Sequence, residues 1–549
     1  MARPWPCLFF GLPGGRLLRR AAPRKSCLRP ARSVLTAQLS AATDVRFTRG
    51  IPEIPGALPV AGHLLALGDD HATTCESWWR KSRASVFQIR LGDTRAVVNS
   101  FDDAKRMLIG RQSAVIDRPS LYTLHGIVSS TRGFTIGSSP WDESCKNKRT
   151  AAGAALGRPE IRQSFDMFDL ESYCIVRDMA RDSDHGSAAI SIVYLQRSAL
   201  NTTLTLCYGI RMDSVYEGML REILHVGSAI SQLRSASENY QDYIPIPRYW
   251  PNNEKTKRSR ELRDRRDKYL DALLDQVREM IRKGTDKPGI SAAILKDGEP
   301  KLTGVEVSSI CLSLVSSCFE TIPGTLTSCI GALYTLSTSG VRIFQDKAYA
   351  DIRRHYPDVR DAWRNSFRER ERPVPESDHR RGGEILCRVC HVPPQQDCHR
   401  GEVVPQTMML TTSDLTPRPS IPKRWLASDG TIKAAAERAG TGLQHFAFGA
   451  GSRACSGQTI AGRRLDAALL RITCSYRVVA SETKPPSTDY VEHNQVKAAL
   501  VAIPKDFDVR LIPRDGMQGA REDETLDACL GEAMARTPGY YKEESPVKI

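Results

Sequence analysis

The stretch Phe448-Gly449-Ala450-Gly451-Ser452-Arg453-Ala454-Cys455-Ser456-Gly457 gathers the residue types that hold and tune a metal-bound sulfur. A thiolate on haem iron pushes electron density through the metal and assists O–O cleavage on the opposite side. Such a sulfur needs a tight turn, so that backbone N–H groups can approach it and set its basicity. Gly451 and Gly457 supply that freedom, and Phe448 shields the sulfur from water. Arg453 carries a planar fork suited to a carboxylate such as a haem propionate. The plain alternative, an ordinary buried thiol in a glycine turn, requires all these residues to share ten positions by chance.

Elements must position that loop. Ala461, Leu465, Ala468, Leu469 and Ile472 follow it at helical spacing, so the loop feeds into an amphipathic helix packed beneath a cofactor. From Val305 to Leu336 only Glu306 and Glu320 carry charge, which reads as a buried helix or a membrane span. Glu320, Pro323 and the many serines would be costly in lipid, so a central helix through a protein core fits better. Phe87, Ile89 and Leu91 alternate before Gly92-Asp93, with Ala96, Val97 and Val98 beyond, which predicts a β-hairpin over Val86 to Ser100. Lys255 to Lys283 is dense in both signs of charge, with Leu262, Tyr269, Leu273 and Val277 at helical spacing. That pattern predicts a solvated surface helix and not a nucleic-acid arm. The fold class is mainly α with a small β region.

The chain of 549 residues is long enough for one large helical domain around a cofactor. Its net charge of +15 favours an acidic partner or an anionic surface. The 15 cysteines are scattered and odd in number, which suits reduced thiols in an intracellular protein better than a disulfide framework. Residues 1–50 form a basic leader: the first 43 residues hold no acid and include Arg3, Arg16, Arg19, Arg20 and Arg24. This is the bias of a mitochondrial transit peptide, although Pro4, Pro6 and Pro13 interrupt any helix and a disordered tail fits equally. Cys7 to Leu12 is far short of the roughly 20 residues a span needs, so no transmembrane anchor is expected there. The folded domain is expected over 51–513, beginning at the extended Ile51-Pro52-Glu53-Ile54-Pro55-Gly56, and 514–549 reads as a loose polar tail.

The pattern Phe-x-x-Gly-x-Arg-x-Cys-x-Gly, complete from Phe448 to Gly457, resembles the haem-binding signature of the cytochrome P-450 superfamily. The resemblance implies that family's fold, a single large haem-binding domain, with haem b bound by Cys455 and electrons arriving from NADPH through a cytochrome P-450 reductase. It implies a monooxygenase that uses O2 and a small aromatic substrate, with no nucleic-acid partner, at a microsomal or mitochondrial membrane. Glu320-Thr321 resembles the family's acid-threonine pair, in which Thr321 holds a proton-delivering water and Glu320 feeds it. Trp141 with Lys146, Lys148 and Arg149 resembles the haem-flanking helix that addresses the propionates, with Lys146 or Arg149 in the cationic role because Cys145 takes the usual place. Gly133 to Lys146 and His445 to Arg453 look like fungal phenylacetate hydroxylases, which implies ring hydroxylation of phenylacetate or a related aryl acid.

Some positions depart from the family. Ser317 and Cys318 stand where a small residue and a glycine are usual. The Glu-x-x-Arg helix is not clean: Glu369-Arg370-Glu371-Arg372 lacks apolar neighbours, and Glu384-Ile385-Leu386-Cys387-Arg388 has one residue too many. Pro422-Lys423-Arg424-Trp425 resembles the later segment that would pair with it. Residues 373–420 are rich in Pro, Arg, His and Cys, as a mis-spliced or frame-shifted segment would be. Within it Cys387-Arg388-Val389-Cys390-His391 matches a c-type haem attachment pattern, and Cys398-His399 would suit zinc. Two rival functions follow: a haem-thiolate enzyme that rearranges peroxides, and an inactive haem-free binding protein.

Overall fold

The computed structural model describes residues 50–367, the strands at 403–404 and 408–410, and residues 448–538, with short gaps inside the first and last of these ranges. The chain divides into 1–44, which lies outside the described residues, and a unit from Val45 to Ile549 that holds everything described. The Glu-x-x-Arg candidates, Pro422 to Trp425 and the Cys387 to His399 cluster also lie outside.

Helix is the dominant element. In chain order the main elements are α1 (His71–Ser82), β1 (Val86–Leu91), β2 (Asp93–Val98), α2 (Glu143–Ala155), α3 (Phe165–Ser183), β3 (Ala188–Ala189), α4 (Ile192–Tyr208) and α5 (Gly218–Gln232). There follow α6 (Glu254–Lys283), α7 (Gly304–Thr338), α8 (Ile343–His355), α9 (Val359–Asn365), β4 (Val403–Val404) and β5 (Met408–Leu410). The last are α10 (Gln458–Ser475), β6 (Tyr476–Ala480), β7 (Asp508–Pro513) and α11 (Arg521–Ala535).

The hairpin is where the alternation places it, with Val86 opposite Val98 and Leu91 opposite Asp93. Two short strands from within 373–420 extend it: β5 runs parallel to β2 and pairs antiparallel with β4. A second sheet has the antiparallel order β3-β7-β6.

α7 is long and apolar enough to cross a membrane by length and composition, yet it runs through the protein core. Its first half, from Val307 to Val315, packs with α4, α5 and α6, and its second half, from Leu326 to Leu333, packs with α3, α8 and α10. Between those halves Ser316, Ser317 and Thr321 are exposed, so the middle of a buried helix has one open polar face. α6 starts at Asn253, whose side chain accepts from Thr256 N, and ends at Gly284 in the left-handed region (φ 66°). Its predicted stripe of Leu262, Tyr269, Leu273 and Val277 is buried, and most charges occupy the other faces, with Arg266 buried among the stripe and paired to Asp267.

One expectation needs correction. The polar segment after residue 514, read as a loose tail, contains α11, with Cys529, Leu530 and Ala533 buried against α3 and α9. Those few apolar residues share one helical face, a pattern that the surrounding charges hide. Just beyond α11, Arg536 Nη2 donates to the buried Asp169 on α3 (3.0 Å), and Asp169 also pairs with the fully buried Arg471 of α10.

Candidate haem-thiolate site

The Cys455 loop is a compact turn. Cys455 N–H donates to Phe448 O (2.7 Å), and Ala454 N–H donates to Gly451 O (3.0 Å). Gly451 has φ +57°, and a Cβ there would lie 2.3 Å from Leu108 O, so no other residue fits. Gly449 is also left-handed (φ +69°), a requirement the sequence reading did not assign. Gly457 has ordinary backbone (φ −87°), so its role differs from the expected one: it caps the N-terminus of α10 and lets the chain pass close to Cys455 Sγ, 3.7 Å from where its Cβ would be. Cys455 is exposed, three residues before α10, where helix N–H groups favour a negative charge. It is near enough to α7 that its charge contributes, after burial, to raising the Cys318 thiol to about 11.

Arg453 points away from solvent into a ring of carbonyls. Its Nε donates to Ile116 O (2.8 Å), Nη1 to Ile136 O (3.3 Å) and Nη2 to Ser139 O (2.9 Å), and its guanidinium lies 4.8 Å from the centre of the Trp141 ring. Nη1 also reaches Cys145 Sγ (3.3 Å), so a cation at position 145 would meet Arg453 head-on. Arg149 Nη2 donates to Ala454 O (2.7 Å), one residue from the thiol. Lys146 instead makes an exposed pair with Glu143 (3.3 Å), so of the two candidates for the cationic role it is Arg149 that the structure brings to the loop. Lys148 is buried and donates to Phe134 O (3.0 Å) and Ser139 Oγ (2.8 Å). Burial holds its ammonium below the usual range, against the pull of Cys145, Asp142 and Glu306.

Residues 134–139 are the hub of these contacts. They receive Lys148 at Phe134, Arg453 at Ile136 and Ser139, and Arg118 Nε at Gly137 O (3.3 Å). Ile136 N–H donates to Ser313 Oγ on α7 (2.8 Å), and Ser309 Oγ of α7 donates to Phe134 O, so the hub is pinned to the central helix. Arg118, Arg149 and Arg453 thus crowd one edge of the loop. Burial depresses Arg453; Cys145 opposes that shift, while Arg118 and Arg149 add to it. Arg149 is depressed by burial, opposed by Cys145 and Cys455 and assisted by Arg118. Three mutually repelling guanidiniums beside an exposed thiol suit a ligand that brings carboxylates and a thiolate-binding metal, so the residues present fit haem.

On α7, Glu320 and Thr321 point apart. Glu320 is buried and accepts from Ser228 Oγ (2.9 Å) and Ser231 Oγ (3.0 Å) of α5. Thr321 lies on the open face, and its Oγ1 donates to Ser317 O (2.7 Å), which leaves its lone pairs free to accept from a water. The structure therefore brings Arg453, Trp141 and Arg149 together at the loop, leaves Lys146 on the surface, and places Glu320 against α5 rather than beside the Thr321 hydroxyl. Arg118, Ser228 and Ser231 carry no local sequence signal, because each reaches the site only through tertiary packing.

The sequence model of the cytochrome P450 family matches residues 52–368. Phenylacetate 2-hydroxylase of Emericella nidulans is 39% identical over 492 residues, covering 86% of this chain and 92% of that protein. The 3-hydroxyphenylacetate 6-hydroxylase of the same fungus is 30% identical over 500 residues, covering 85% and 91%. A cytochrome P450 monooxygenase of Mycosarcoma maydis, CYP3, is 30% identical over 493 residues, covering 84% and 87%. The helical architecture, the glycine-held thiol loop and these full-length similarities agree, and this chain belongs to the cytochrome P450 family of haem-thiolate monooxygenases.

Proposed function

We propose that this protein hydroxylates the aromatic ring of phenylacetate or a closely related aryl acid, with Cys455 as the thiolate that would bind the iron of haem b. The observation that carries the proposal is the exposed Cys455, held in a glycine turn beside the clustered Arg118, Arg149 and Arg453. The substrate class rests on the two fungal relatives whose names specify phenylacetate and 3-hydroxyphenylacetate. When bound, haem supplies the activation of O2, with two electrons from NADPH through a cytochrome P-450 reductase and two protons from the protein; one oxygen atom enters the C–H bond and the other leaves as water.

The chain's own residues do the rest. Phe448, Gly451 and Gly457 hold the sulfur loop, and Arg453, Arg149 and Trp141 form the edge that receives the propionates, with Lys146 outside it. Thr321 orders a water on the open face of α7, and Glu320, held against α5 by Ser228 and Ser231, supplies the proton to this water once its protonated side chain turns toward that face. A retained threonine at that position also argues against the reading as an enzyme that rearranges peroxides. The composition of 373–420, rich in Pro, Arg, His and Cys, supports reading that stretch as a splicing or frame error. Sequencing the transcript across it tests this, with a restored Glu-x-x-Arg helix as the expected result.

Reduced protein under carbon monoxide should show the red-shifted Soret band of a thiolate adduct, and Cys455→His should abolish it. An unshifted band in the unmutated protein would remove Cys455 from the role.

A further inference from the structure

Glu320 lies one hydrogen bond behind the wall of a cleft that opens to the surface. The cleft, about 670 Å³, runs between the start of α4 and the length of α5, and its walls include Tyr194, Gln196, His225, Ser228 and Gln232, with Arg258 of α6 at its rim. Ser228 belongs to two structures at once: it lines the cleft, and its hydroxyl donates to Glu320 Oε1 (2.9 Å). Ser231, nearly one turn later on α5, donates to Oε2 (3.0 Å). The approach of the two helices that makes this reach attainable depends on Gly227, where a Cβ would fall 2.5 Å from Phe319 Cζ on α7. The carboxylate is thus joined through Ser228 to the wall of the cleft, while the neighbouring Thr321 faces the open side of α7.

We infer that the cleft between α4 and α5 is the route by which solvent protons reach Glu320, with Ser228 as the relaying hydroxyl and Ser231 as a positioning residue for the carboxylate. The inference rests on the proposed role of Glu320 as a proton source. The step is a simple exchange: Ser228 Oγ–H gives its proton to the ionised Glu320 carboxylate and takes one from a hydronium ion relayed along the waters of the cleft, which is left as water, so one proton enters and no electron moves. The walls mix apolar Val193, Val215 and Leu224 with Tyr194, Gln196, His225 and Gln232, and these polar side chains give such waters partners on the way to Ser228. Ser231 holds the second oxygen while the carboxylate is ionised, so that it stays within reach of Ser228 until it is protonated.

Four variants of the haem-loaded full chain test the route. In Ser228→Cys, a small charged methanethiosulfonate should modify the new thiol within minutes, as mapped by mass spectrometry, although Ser228 is only partly exposed; no modification would show that the cleft does not admit solvent to this depth, and would overturn the proposal. Ser228→Ala with Ser231→Ala should lower the product formed per NADPH severalfold and raise the solvent deuterium isotope effect, with the carbon monoxide adduct spectrum unchanged. Ser228→Thr, which keeps the hydroxyl, should restore coupling, a rescue that a purely structural role for Ser228 would not show. Glu320→Gln separates the cleft route from the role of Glu320 itself. If it uncouples the reaction while the double alanine variant stays coupled, the cleft route fails and the role of Glu320 stands. If Glu320→Gln remains fully coupled, both fail.

Discussion

At Gly451 a single hydrogen atom decides whether the thiol loop can close. A methyl group there would meet Leu108 O at 2.3 Å, and the left-handed backbone would strain any side chain besides. Gly451→Ala should cost about 1–3 kcal/mol locally and is expected to lower haem content by at least half, measured as the ratio of Soret to protein absorbance after purification; full incorporation would show that the loop can shift. Thr321→Ala acts differently, because its hydroxyl bonds only to Ser317 O within its own helix and its loss should leave folding intact. The expected outcome is uncoupling, with NADPH consumed severalfold beyond product formed, and unchanged coupling would remove Thr321 from proton delivery. At this scale the thiol loop was legible because its chemistry is local: the residues that turn and anchor the sulfur are neighbours in sequence, although Cys455 is exposed and the shielding expected of Phe448 is not seen. Arg118 was not, since it contributes through repulsion of Arg149 and Arg453, which only the fold brings near.

Among elements, periodicity carried the reading where one face is buried and failed where apolar residues are few. The stripe on α6 and the run in α7 were plain, and α10 followed the loop as its spacing required. α11 was missed, because Cys529, Leu530 and Ala533 are a thin stripe among charges. What holds α11 is partly ionic: Arg364 of α9 makes two 2.8 Å bonds to Glu532, and Arg536 reaches Asp169. The exposed Arg364–Glu532 pair adds little, whereas Asp169 and Arg471 are both fully buried. Asp169→Ala leaves Arg471 charged and unmatched in the core, and should destabilise the fold by about 3–5 kcal/mol, read as a lowered urea midpoint with an unchanged slope. A shift no larger than that of an ordinary surface substitution would mean that the Trp363 carbonyl and Ser172 hydroxyl already satisfy Arg471.

For the whole molecule, the family and the substrate class are legible at different depths. Architecture and thiol loop define the first, while the second needs a partner for a carboxylate held above the iron, which a buried site must supply as a cation or a set of donors. Phenylacetate should therefore bind the haem-loaded protein roughly 10–100-fold tighter than phenylacetamide, the worth of a charge-assisted hydrogen bond, and give the larger low-to-high spin change. Equal responses would keep the monooxygenase and reject the aryl-acid assignment. The tie among Asp169, Arg471 and Arg536 also sets a schedule for biosynthesis. Arg471 lies 302 residues after Asp169 and Arg536 lies 367 after it. At about 5–20 residues per second, the ribosome takes roughly 15–60 s to deliver the first guanidinium. Through that interval α3 carries a carboxylate that its own neighbourhood cannot bury, so the nascent chain has to keep this face wet, and the α3 side of the core closes only when translation is nearly done.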